Sequence, residues 1–151
     1  GATMEALITA HLSRAHAGDY VALLDYVMET PEHEEIIQAI RTHLRDALRV
    51  ATTTGYGPRF LHSTGQLHKG GPATGVFIQV TADNSVDLPL PGEPFTFGVL
   101  KQAQALGDFQ SLSSRHRRAL RLHLGQNVSV GLRTILDIVQ TAFPIVQGHA
   151  G

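Results

Sequence analysis

The chain has 151 residues, a formal charge of -1 and no cysteine, a length that suits one ordinary domain. The near-neutral charge gives no electrostatic reason to expect nucleic acid or an anionic membrane surface as a partner, and the lack of cysteine excludes disulfides, a thiolate nucleophile and zinc-cysteine sites while favouring a cytoplasmic home. Hydrophobic content of 42% against charged content of 17% is a globular balance, and no apolar run approaches the roughly 20 residues of a membrane helix.

Gly1-Ala2-Thr3 lack the basic and apolar parts of a signal peptide and read as a remnant of tag removal, leaving residues 4–151 as the domain. Met4, Leu7, Ile8 and Leu12 recur at helical spacing and predict a helix from Met4 to His16, with Gly18 placed to cap it. Tyr20 to Val27 is short, apolar and rich in strand formers, which suits a strand buried on both faces of a parallel sheet. Thr30 is an N-cap with Pro31 at the first helical position, and Glu32, Glu34 and Glu35 place negative charge at the positive end of the helix dipole. That helix should run to Leu48 with Ile36, Ile37, Ile40, Leu44 and Leu48 as its buried stripe, followed by a strand from Arg49 to Thr54.

Six glycines between Gly55 and Gly75 make that stretch mostly loop. Val76 to Thr81 is a third strand, and Pro89, Pro91 and Pro94 keep Asp83 to Pro94 irregular. Thr96 can cap a helix with Val99, Leu100, Ala103 and Leu106 on its apolar face, ending near Gly107. Alternating Leu120, Leu122 and Leu124 predict a fourth strand over Ala119–Leu124, nearer an edge, and Val130, Ile135, Ile138, Val139 and Phe143 mark a last helix. Strands alternating with helices of this length imply an α/β fold of three layers, α/β/α, around a mostly parallel sheet of about four strands. Ligands in such sheets sit beyond the carboxyl ends of the strands, so the loops after Val27, Thr54 and Thr81 should share a functional edge.

The loop from Gly55 to Gly71 contains Leu61-His62-Ser63-Thr64-Gly65-Gln66. It resembles the corresponding segment of bifunctional transaldolase/glucose-6-phosphate isomerases, and its core is similar to the Leu-His-Ser-Met-Gly-Gln stretch of ordinary bacterial glucose-6-phosphate isomerases. The blocks Asp87 to Pro94 and Phe95 to Asp108 resemble the fused family as well, in the same order. The resemblance spans about Gly18 to Gly125 and implies the C-terminal, SIS-like (sugar-isomerase) part of such an enzyme. It implies interconversion of glucose 6-phosphate and fructose 6-phosphate, with no cofactor.

That reaction needs ring opening at the ring oxygen, a base that carries a proton between C2 and C1 through an enediolate, and a cation to steady the developing charge. His62 matches the family's ring-opening histidine, and a group that titrates near neutrality suits that transfer; the bland alternative is a loop histidine bonding backbone. Lys101 matches the family's active-site lysine, although Thr96-Phe97-Gly98-Val99-Leu100-Lys101 departs from the usual Gln-x-Gly-Val-Glu-x-x-Lys and loses its glutamine and glutamate. The base falls to Glu32 or Glu29, with Glu32 preferred; its helix N-terminus should lower its pKa, so burial or Glu29 would have to raise it. Glu29, Arg59 and Gln66 are the candidate substrate-binding residues. His68-Lys69-Gly70-Gly71 matches no phosphate-loop spacing.

The resemblance further implies an N-terminal isomerase subdomain and a transaldolase domain as partners, a homodimer, and little activity from the isolated chain. The nine histidines do not read as a metal site, since neither His62 and His68 nor His116 and His123 have the i, i+4 spacing of helical zinc motifs. The alternative to catalysis is a SIS-like sugar-phosphate sensor or oligomerisation module.

Overall fold

The computed structural model describes residues 3–57, 74–83, 91–93, 97–114 and 118–146. The first helix, α1 (Met4–Leu12), is capped by Thr3, whose hydroxyl accepts from the Ala6 amide at 3.1 Å. It stops at Leu12, not His16: Leu12 is its last buried residue, and Ser13 closes it through a 2.6 Å bond from its hydroxyl to the Thr9 carbonyl. Gly18, at φ 90°, therefore belongs to the turn into the sheet and not to a helix cap.

Strand β1 (Tyr20–Tyr26) is buried from Val21 onward, as a central strand should be. Helix α2 (Pro31–Leu48) starts where the sequence predicts, with the Thr30 hydroxyl accepting from the His33 amide at 3.0 Å. It ends in Arg49 at φ 56°, whose amide bonds Arg45. That left-handed turn consumes the residues expected to open the second strand, so β2 runs Ala51–Tyr56. Strands β3 (Gly75–Thr81) and β4 (Arg118–His123) follow, with α3 (Phe97–Ser114) between them and α4 (Val128–Ala142) last. Thr96, the expected cap of α3, lies outside the described residues. Asn127 caps α4 by accepting from the Val130 amide.

The sheet has the order β2-β1-β3-β4 and every pairing is parallel. In register, Leu23 stands beside Thr54 on one side and Ile78 on the other, and Ile78 beside Leu120. Val21, Leu23, Val76, Ile78 and Val80 share a core with Ile8, Leu12, Ile37, Leu44, Leu132 and Ile135, which places α1, α2 and α4 on one face. Ala22, Leu24, Tyr26 and Phe77 pack with Ala105 and Leu112, which places α3 on the other. The fold is therefore three-layer α/β, with β4 at an edge. The β1-to-β2 and β3-to-β4 crossovers move in opposite directions with helices on opposite faces, so they share one hand.

Helix α3 corrects two expectations. It continues through Gly107 to Ser114, and its inward stripe is Ala105, Asp108 and Leu112, while Val99 and Leu106 are 51% and 44% exposed. A helical glycine costs only about 1 kcal/mol; the buried contacts of Asp108 and Leu112 outweigh it.

Candidate functional site

Because all four strands run the same way, the ends of β1, β2, β3 and β4 lie along one edge. The chain reverses its order of addition between β1 and β3, and such switch points open a crevice in α/β sheets. A cleft of about 560 Å³ lies there. Its walls are Tyr26 to Met28 after β1, His33 in the first turn of α2, Ala82 and Asp83 after β3, Lys101 in α3, and Gln126 to Ser129 leading into α4.

Two helix starts thus face the cleft beside one lysine. Lys101 is half-buried, and burial lowers its pKa. His33 donates from Nδ1 to the Met28 carbonyl at 2.8 Å, since a carbonyl can only accept; in the neutral ring this leaves Nε2 as the acceptor. Glu32 sits outside this group, exposed on the first turn of α2. It accepts from the Ser129 hydroxyl and lies 3.6 Å from Arg133. The Ser129 hydroxyl, and after it the charges of Arg133 and His33, hold its carboxyl below the usual range. Glu29 is exposed in the same loop. Arg59, His62 and Gln66 lie outside the described residues. So the structure brings Lys101 into the cleft and holds Glu32 at its flank, tied to α4.

No family model matches the chain, and no curated protein matches it. A solved structure similar to it is that of a hypothetical protein from Thermus thermophilus, with a TM-score of 0.75 and 17% sequence identity over 93% of this chain. The likeness shows the fold. This chain spans 39% of the length of that one.

Several polar groups around the edge escape a reading of the sequence. Asp25, at the end of β1, points into the α2 face with 1% exposure, accepts from the Thr54 hydroxyl through one oxygen and leaves Oδ1 without a partner among the described residues. Burial, reinforced by the negative charge of Glu34 and only partly opposed by Thr54, pushes it up to about 8, so the fold favours its neutral form. Beside it the Tyr56 hydroxyl donates to Glu34 at 2.6 Å. On the opposite face the Tyr26 hydroxyl donates to buried Asp108, and Gln79 donates to the Ala105 carbonyl at 2.7 Å. A Cβ at Gly57 would come within 2.3 Å of the Tyr26 ring, so glycine is required where β2 leaves the sheet. At the end of β3, Asp83 pairs with His123 of β4. The only sequence signal for these groups is polarity at the last positions of strands, where a parallel sheet presents its ligand edge. Among the described residues, no three His, Asp or Glu side chains converge as a metal site, and no helix is long and apolar enough to cross a membrane.

Proposed function

We propose that the chain is the C-terminal, SIS-like part of a glucose-6-phosphate isomerase of the kind fused to transaldolase. In this reading it works in the cytoplasm, as a homodimer, with an N-terminal isomerase subdomain and a transaldolase domain as its partners. The observation that carries the reading is the place of Lys101: the residue matched to the family's lysine stands half-buried in the cleft at the switch point. There its charge would steady the oxygen of an enediolate in a site partly withdrawn from water. His62 would open the sugar ring, and Glu29 or Glu32 would move the proton between C2 and C1. No cofactor enters that chemistry.

A second reading is a sugar-phosphate sensor without turnover, and the state of Glu32 favours it. An exposed carboxyl held below its usual pKa by Ser129 and Arg133 is a weak base. The deciding measurement is conversion of glucose 6-phosphate by the intact protein. The isomerase reading expects turnover that falls by about 10²–10⁴-fold in His62→Ala, and by a similar factor in Lys101→Met. Undiminished conversion by His62→Ala would sink it, and binding of the sugar phosphate with no turnover by the unaltered protein would establish the sensor.

A further inference from the structure

We infer that Asp83 is the acceptor for a ligand hydroxyl in this cleft, and that His123 and Thr81 are the residues that position it. The inference rests on the sugar-phosphate reading above and adds to it a group that the resemblance does not supply. Asp83 follows β3 directly and lines the cleft together with Lys101. Its main chain is pinned, since its amide donates to the Gly125 carbonyl at 2.8 Å while the Leu124 amide donates to Thr81 at 2.8 Å. Its side chain is pinned too: His123 donates from Nε2 to Asp83 Oδ1 at 2.9 Å. Its side chain is nevertheless 46% exposed and lines the cleft, which leaves room for a ligand hydroxyl beside the His123 bond.

His123 is held from its other side by the Thr81 hydroxyl, 2.9 Å from Nδ1. A carboxylate can only accept, so Nε2 carries a hydrogen; the neutral ring then accepts from Thr81 through Nδ1. Held at both nitrogens, the imidazole keeps its place, and Asp83 with it. Thr81 itself is buried, which fixes the chain at its inner end.

A fixed carboxylate is a strong acceptor for a hydroxyl and repels a phosphate. Asp83 therefore meets the hydroxyl-bearing carbons of the ligand and leaves the phosphate to another part of the site. Half-exposed, it can be replaced without loss of the fold. The test is calorimetric binding of glucose 6-phosphate and of inorganic phosphate to the intact protein and its variants. Asp83→Ala should weaken glucose 6-phosphate by about tenfold to a hundredfold, the worth of a hydrogen bond to a charged group, and leave inorganic phosphate unchanged. His123→Leu should weaken the sugar phosphate by a smaller factor, and His123→Gln should recover most of that loss because its amide can still donate to Asp83. Equal affinities in Asp83→Ala and the unaltered protein, or a parallel loss for both probes, overturn the acceptor role. Equal behaviour of His123→Leu and His123→Gln overturns the positioning role. An unaltered protein that binds no glucose 6-phosphate overturns the sugar-phosphate reading first, and this inference with it.

Discussion

On the face covered by α1, α2 and α4, the sheet meets a continuous layer of Ile, Leu and Val, among them Ile8, Leu12, Ile37, Leu44 and Leu132, each at most 1% exposed. On the α3 face the apolar contacts are fewer among the described residues, and Phe77, Ala105 and Leu112 share the space with Gln79, Thr81, Asp108 and the Tyr26 hydroxyl. The first face is where burial free energy accumulates, at about 1.5–3 kcal/mol for each fully buried aliphatic side chain. The second gives up part of that gain to hold polar groups in place beneath the cleft. Asp25 is the exception on the apolar side, an acid whose burial raises its pKa.

That contrast can be broken by measurement. Leu44→Ala should cost about 2–5 kcal/mol in urea denaturation, the range for a fully enclosed leucine. At neutral pH Asp25 should give the next largest effect, read through pH. Its ordinary value is 3.8 and burial pushes it up to about 8, so between those values the folded state holds a proton that the unfolded state has lost. Its contribution is therefore full below about pH 4, falls as pH rises by at most about 1.4 kcal/mol per pH unit, and is gone above about pH 8. Subtracting the stability profile of Asp25→Asn from that of the unaltered protein should reveal this slope; parallel profiles would show that Asp25 is ionised in the fold. Gln79→Leu should have the smallest effect, within about 1 kcal/mol, because it exchanges one hydrogen bond to Ala105 for apolar contact. A loss as large as that of Leu44→Ala would mean that the α3 face is as stability-critical as its opposite.

The skeleton was legible where one strong local signal acted alone. Thr30-Pro31 started α2 as expected, and the alternation of Leu120 and Leu122 placed β4 at an edge. Legibility failed where tertiary packing overrode local preference. Gly107 looked like an end to α3, yet Asp108 and Leu112 carried the helix onward, and the face presumed buried from Val99 and Leu106 turned outward. At the site, Lys101 reached the cleft from a resemblance alone. Asp25 and the Asp83–His123 pair had only polarity near strand ends to announce them, because one is the single acid of an otherwise apolar strand and the other two are joined only by the pairing of β3 with β4. Glu32 was legible as a helix-start acid, and its bond with Ser129 depends on how α4 packs beside α2.

The cleft draws its walls from both ends of the described chain, with Tyr26 contributed by the first strand and Ser129 by the last helix. No local segment can assemble it, so it comes into being only with the long-range contacts that also set the pace of folding. A ligand that fills it would select the completed domain over every partly folded form, and its concentration relative to its dissociation constant would add directly to global stability. Thermal protection by candidate ligands is thus a screen that requires no turnover, and a truncation removing α4 should abolish binding even though it leaves Lys101 in the chain.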